Sequence, residues 1–302
     1  MSVKKYLETH TSSLAGKNVA VTGATGGLGR ELCLDLASLG AHLILVNRSE
    51  TKAKALEAEI AAQYPGTKIT HVFADLEDIA AVRRAADALR AVGVDVLIHN
   101  AGAYDIPRHK CTTGLDNVFQ IDFASPYFLT RELLPHMRER GGARVVAVGS
   151  VAHNYSKTDP ADVDFSTRKA SSKVYGNAKR YLMFSLYELF AHPDMVGDVT
   201  LSVVHPGITF TNITAHYPPV IFAIIKYPMK IIFPPVKKAC LSLVRGVFEP
   251  CAYHEWIGPR IFDVWGYPQK RTLTTVTRAE SAAIFATAEK SLDLCRSICY
   301  NN

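Results

Sequence analysis

The chain carries six cysteines, at positions 33, 111, 240, 251, 295 and 299, yet no C-x-x-C pair. Only Cys295 and Cys299 lie close together, so there is no metal-ligand spacing. Buried or free thiols in a reducing compartment are expected. The opening stretch, MSVKKYLETHTSSLAGKNVAVTG, lacks a signal-peptide apolar region and runs from polar residues straight into a strand. A cytoplasmic location is therefore expected. No unbroken apolar run of spanning length occurs either. YPPVIFAIIKYPMKIIFPP (217–235) comes nearest, but Lys226, Lys230 and its prolines interrupt it, which argues against a transmembrane span. Basic residues are scattered, with a formal net charge of +6, so there is no nucleic-acid footprint. A basic rim for an anionic cofactor and a solvated surface without a role fit that charge equally. Internal repeats, low-complexity tracts and domain linkers are also missing.

What is present is an ordinary globular composition over 302 residues, 48% hydrophobic and 21% charged. Apolar, β-branched runs at 18–23, 42–48, 69–75, 94–102, 143–150 and 199–207 read as strands. Helical patterns at 29–40, 50–64, 78–92 and 114–140 alternate with them. Continuous apolar strands imply burial on both faces, and the alternation implies a parallel sheet flanked by helices. The expected fold is α/β: a doubly wound Rossmann fold with a mainly parallel central sheet. It is read as one domain over 1–302, with a Pro-interrupted insertion near 212–236.

Between the first strand and its helix, VAVTGATGGLGRELCLDLASLG places Gly23, Gly26, Gly27 and Gly29. Glycines there permit a tight turn and close approach of backbone to a pyrophosphate, which the following helix N-terminus attracts. A purely structural turn is the alternative. At the end of the second strand, where NAD sites commonly carry an acid, stand Asn47 and Arg48. An acid would repel a 2′-phosphate, whereas Arg48 can pair with one, so NADP(H) is favoured. The alternative is that Arg48 is merely exposed.

In SSKVYGNAKRYLMF (171–184), Tyr175 and Lys179 stand four apart on a helix-like run, within about 40° of each other on one face. A free phenol, with a pKa of about 10, is a poor base at neutral pH. A neighbouring cation favours the phenolate and lowers that value, which suits the pair to moving a proton on and off an alcohol oxygen. Ser150 ends a strand pattern, where catalytic groups of parallel sheets collect.

Taken in order, TGATGGLG (22–29), AD (74–75), HNAG (99–102), Ser150, YGNAK (175–179) and HPGITFT (205–211) resemble the short-chain dehydrogenase/reductase family, over roughly residues 15–302. Within it, VGSVAH and the long gap from Ser150 to Tyr175 are similar to the retinol-dehydrogenase-like branch. The resemblance implies an NADP-dependent oxidoreductase acting on an alcohol or carbonyl. It implies Tyr175 as general acid and base, Ser150 as the donor to the substrate oxygen, and Lys179 as the group that binds the nicotinamide ribose and depresses the Tyr175 pKa. Asp75 would contact adenine, and Asn100 and Gly102 the adenosine ribose side. Pro206, Gly207 and Thr211 would flank the nicotinamide. Thr25, Leu28, Leu76, Ala101 and Thr209 complete the implied cofactor contacts.

Three departures from the family pattern stand out, the first a glycine spacing that fits both G-x-x-x-G-x-G and G-x-x-G-x-x-G and so does not alone separate dehydrogenases from sugar-nucleotide epimerases. His99 replaces the first Asn of the usual NNAG. Asp122, in QIDFASPYF, stands where the family has an Asn that holds a relay water. Asp122 could accept from such a water or pair with Lys179. His153 and Asn154 either line the substrate pocket or have no role; Trp256, Trp265 and Tyr267 read as core and tail packing. The 217–235 stretch is a lid over a lipophilic substrate, such as a steroid, bile acid, retinoid or fatty aldehyde, or else a patch for peripheral membrane contact. The expected partners are a small lipophilic alcohol or carbonyl and no nucleic acid, with homodimer formation left open. Two other readings use the same residues: a nucleotide-sugar epimerase or dehydratase, and a weakly active NADP-binding regulatory protein.

Overall fold

The structure is a computed structural model in which residues 2–207 and 234–300 are described. Eight strands form one sheet in the order β3-β2-β1-β4-β5-β6-β7-β8. They are β1 (Asn18–Thr22), β2 (His42–Asn47), β3 (Ile69–Phe73), β4 (Val96–His99), β5 (Arg144–Val148), β6 (Thr200–Val204), β7 (Glu255–Ile261) and β8 (Trp265–Thr272). All neighbouring pairs from β3 to β7 are parallel, and only β8 runs antiparallel, against β7. The sheet is thus doubly wound and mainly parallel. Winding reverses between β1 and β4, and such a reversal opens a crevice beyond the carboxyl ends of the strands.

Alternate strand residues feed two apolar layers, as the period of two requires. Ala20, Ile44, Leu97, Val145 and Val203 face helices Ile79–Val92, Ser125–Arg140, Ser171–Phe190 and Arg278–Tyr300. Val19, Val21, Leu43, Ile98 and Val146 face helices Gly27–Ser38, Glu50–Gln63 and Val236–Phe248. The pattern read over 114–140 is a helical run in three pieces: Asn117–Phe119, a π-turn Gln120–Ala124, and Ser125–Arg140. The strand read over 94–102 stops at His99, because residues 100–102 turn into the crevice.

Several elements differ from the sequence reading. The polar N-terminal stretch forms helix Val3–His10, whose buried Tyr6 stacks on Tyr267 at 5.2 Å. Propensity alone gives little sign of it; the tertiary stack selects it. Strands β7 and β8 contain Gly258, Pro259, Gly266 and Pro268; strand interiors disfavour both residue types, except toward a sheet edge such as this hairpin. Trp256 is buried, in keeping with a packing role, but Trp265 is 41% exposed near the hairpin tip. All six cysteines are free. Among the described residues no helix is long and apolar enough to cross a membrane. Thr209, Thr211 and nearly all of the 212–236 insertion lie outside the described residues.

Candidate active site

The glycine turn is built by contacts across the crevice. Gly23 adopts φ +63°, and a Cβ there would lie 2.8 Å from the Ala101 Cα. A Cβ on Gly29 would meet the Gly23 carbonyl oxygen at 2.3 Å and the Asn100 Nδ2 at 2.7 Å. Thr22 pins the same corner: its Oγ1 accepts from the backbone N–H groups of Asn100 and Ala101, each at 3.1 Å. Asn100 Nδ2 donates to the Thr22 and Gly23 carbonyls at 2.9 and 3.1 Å. Gly26 and Gly27 are exposed, and a Cβ on Gly27 would meet nothing within 4 Å. Leu28 is partly buried against the helix layer.

Asn47 is buried, and its Oδ1 accepts from the Thr25 N–H at 3.2 Å. Arg48 lies in solvent, with Nη1 3.4 Å from Asp75 Oδ2. The other Asp75 oxygen accepts from the Glu77 N–H at 3.1 Å. The Leu76 side chain joins the core while its carbonyl accepts from Ser125 Oγ at 2.6 Å. Two buried polar atoms here, Asn47 Nδ2 and Asn100 Oδ1, have no protein partner. A nucleotide fits these groups: a donor and an acceptor await partners along a turn whose Gly27 leaves open space.

Residues distant in sequence converge at the other end. Helix Ser171–Phe190 brings Lys179 Nζ to 5.5 Å from the Tyr175 ring centroid. The Ser150 hydroxyl, just past β5, is near enough to the Tyr175 phenol to pull its pKa down. Ser150 Oγ also accepts from the Ala152 N–H at 3.2 Å, capping the short helix Val151–Tyr155. Asp122, on the π-turn, places Oδ1 3.0 Å from Lys179 Nζ, with both side chains buried. Its Oδ2 accepts from the Ala103 N–H at 2.9 Å. Of the two partners open to Asp122, Lys179 stands at ion-pair distance. Gly207 packs against the β7–β8 hairpin: a Cβ there, at φ +78°, would lie 2.9 Å from the Asp263 carbonyl oxygen.

Lys179 does pull the Tyr175 pKa down, but it does not act alone. Loss of hydration pushes the phenol up, Lys179 pulls it down, and Asp122 pushes it up again; the net direction is upward. Lys179 itself is held protonated. Burial alone would lower its pKa, but the Asp122 carboxylate and Tyr175 outweigh burial. His99 is buried, with Nε2 2.7 Å from Thr130 Oγ1. Burial first, then the Lys179 charge, lowers its pKa to about 3, so the ring is neutral.

Some residues of this site carried no signal in the sequence. Tyr104 packs edge-on against Tyr175, centroids 5.4 Å apart; its place just after HNAG was the one available pointer. Arg180, next to Lys179, is buried and binds the His153 and Thr275 carbonyls and the Glu280 carboxylate at 3.0, 3.2 and 2.6 Å. It staples the C-terminal segment to the catalytic helix. His153 is a core residue, not a pocket wall: it bonds the Ser150 carbonyl at 2.7 Å and Thr275 Oγ1 at 3.0 Å under the Trp256 ring. Asn154 is exposed.

Glu77, His109 and Cys111 bring ligand-type atoms within 4.8 Å of one another. However, Asn117 Nδ2 donates to His109 Nδ1 at 3.2 Å, so Nε2 carries the proton toward Glu77 Oε2 at 3.0 Å. His109 is thus engaged at both ring nitrogens, by Asn117 and Glu77.

Comparison with known proteins bears on this arrangement. The family model described as short chain dehydrogenase matches residues 17–219. Retinol dehydrogenase 12 of Mus musculus is 31% identical over 70% of this chain and 69% of its own length. Polyprenol dehydrogenase of Homo sapiens is 29% identical over 65% of this chain, and the match spans 62% of that relative, just under two thirds. Among solved structures, an uncharacterised protein from Mycobacterium paratuberculosis superposes with a TM-score of 0.73 at 26% identity, covering 93% of this chain and 95% of that one. The Pseudomonas aeruginosa RhlG/NADP active-site complex gives 0.54 at 26% identity, covering 71% and 82%.

Proposed function

Because the chain belongs to the short-chain dehydrogenase family, we propose that it is an NADP(H)-dependent oxidoreductase interconverting a lipophilic alcohol and its carbonyl. The observation that carries this reading is the convergence of Ser150, Tyr175, Lys179 and Asp122 beside the glycine turn. Ser150 and the Tyr175 hydroxyl form a two-point grip for one substrate oxygen. Tyr175 gives that oxygen a proton in reduction and takes it back in oxidation. When bound, the nicotinamide cofactor supplies or accepts the hydride. Gly23, Thr25, Gly26, Gly27, Leu28 and Gly29 would cradle its phosphates, and the open Asn47 and Asn100 atoms would take its adenosine half, with Asp75, Leu76, Ala101 and Gly102 alongside. Lys179 would also reach its ribose.

Arg48 supports NADP(H) over NAD(H). Its pairing with Asp75 is long and exposed, so exchange of that partner for a 2′-phosphate costs little. The RhlG complex with NADP supports the same choice. The names of the retinol and polyprenol dehydrogenases support a lipophilic alcohol as substrate class. The test is oxidation of NADPH against a panel of retinoid, polyprenoid, steroid and fatty carbonyls. Turnover with at least one, and a preference for NADPH over NADH in fluorescence titration, are expected. No turnover across the panel, with NADPH bound, would favour a regulatory NADP-binding role.

A further inference from the structure

We propose that Asp122 is a positioning residue that locks the Lys179 ammonium into a closed ion pair and thereby keeps Tyr175 a neutral phenol, a proton donor, at neutral pH. The inference rests on the proposed Tyr175 chemistry. It starts from a matching of donors to acceptors. The Ala103 N–H donates to Asp122 Oδ2 at 2.9 Å, and the Lys179 ammonium stands 3.0 Å from Oδ1 as its ion-pair partner. A carboxylate presents an oxygen to each. An amide in the same place has one oxygen and must turn its NH₂ toward one of the donors. Room is reserved for the pair: a Cβ on Gly102 would lie 2.7 Å from Asp122 Oδ1 and 3.4 Å from Lys179 Nζ.

The charges around the phenol follow. Lys179 faces it from its own helix, Asp122 from the π-turn, Ser150 from the end of β5 and Tyr104 from the loop after β4. His99, on β4 near Lys179, is neutral. Asp122 offsets part of the Lys179 pull, burial is the largest influence, and burial disfavours a phenolate. In reduction the hydride, from the reduced nicotinamide, bonds to the carbonyl carbon. The C=O π pair moves onto oxygen, and the Tyr175 proton bonds to that oxygen. The phenolate left behind regains a proton from solvent. Oxidation needs the phenolate first, so its rate climbs only at alkaline pH.

The test is the ionisation of Tyr175 in the full chain without ligands, by NMR of ¹³Cζ-tyrosine, the resonance being assigned with Tyr175→Phe. Tyr175 of the native chain is expected to ionise above the ordinary value of about 10. Asp122→Asn should lower that value by about one unit or more, a tenfold change, and shift the alkaline rise of alcohol oxidation equally. Asp122→Glu, which keeps the charge, should hold it high. Equal ionisation in the native chain and Asp122→Asn overturns the proposal. Should Asp122→Asn fail to fold, the native chain decides alone: ionisation of Tyr175 below about 10 overturns it. Neither measurement uses substrate, so a failure of the oxidoreductase reading would show separately, as absent turnover.

Discussion

Two ion pairs mark the two ends of the same crevice. Arg48 and Asp75 stand 3.4 Å apart with side chains 71% and 37% exposed. Lys179 and Asp122 stand 3.0 Å apart with side chains 2% and 0% exposed. The charges are alike and the separations nearly so; the solvent is what differs. At the exposed end water screens the pair, which is worth about 0–1 kcal/mol, and the guanidinium can change partners. At the buried end neither charge can be left alone, since breaking such a pair costs about 3–5 kcal/mol. An exposed pair can change partners at little cost, whereas a buried one cannot.

The largest effect should come from the group the buried pair serves. Tyr175→Phe keeps the ring and deletes the proton. It is expected to lower kcat by about 10²–10⁴-fold with NADPH affinity retained. Near-native turnover would remove the chemistry from this end of the crevice.

Breaking each pair in turn tests the comparison directly. Lys179→Met leaves the Asp122 carboxylate buried without its cation, and urea unfolding should show a loss of about 3 kcal/mol or more. Arg48→Met should stay within about 0.5 kcal/mol of the native chain. Equal losses would mean that burial is not what separates the two ends.

Acid sharpens the contrast, because neutral rings are buried in the core near that end. Burial lowers the pKa of His99 to about 3 and of His153 to about 4. It lowers that of His205, under Trp256, to about 3. In the unfolded chain these rings take protons near the ordinary value of about 6.5. Between those limits the unfolded state binds more protons. Stability contributed by the neutral rings is complete above about pH 6.5 and is lost as pH falls, by up to about 1.4 kcal/mol per pH unit for each histidine. Thermal melts from pH 7 to pH 4 should show the decline, and His153→Gln should make it shallower. A flat profile would mean that the rings are not held neutral.

The smallest effect belongs to the exposed end. Arg48→Asp should weaken NADPH binding about tenfold, some 1.4 kcal/mol, and leave NADH binding unchanged. An equal loss for both cofactors would show that Arg48 does not read the 2′-phosphate.

The parts of the site that were legible in the sequence are those set by short-range rules. A glycine turn between a strand and a helix, a phenol and an amine one helical turn apart, and a serine closing an apolar strand each lie within a few neighbouring residues. The strand–helix alternation and the parallel sheet follow from the period of the apolar residues. What was not legible depends on partners far along the chain. The β7–β8 hairpin breaks strand propensity at its glycines and prolines, and Arg180 gives no hint in sequence that it binds Thr275 and Glu280.

Asp122 shows the boundary most plainly. By itself the sequence determined that a carboxylate stands where the family has an amide, and that a tyrosine and a lysine share a helical face. It left open whether that carboxylate meets a water or the lysine, and its local logic counted the downward pull of Lys179 on Tyr175 without the upward push of burial and Asp122. Only the tertiary structure decided otherwise, by bringing the π-turn against the helix 57 residues further on, Asp122 against Lys179. The reason is electrostatic. A lone cation four residues away stabilises a phenolate, but the same cation paired at 3.0 Å in a buried site is partly offset, and the cost of burying the negative charge then sets the sign.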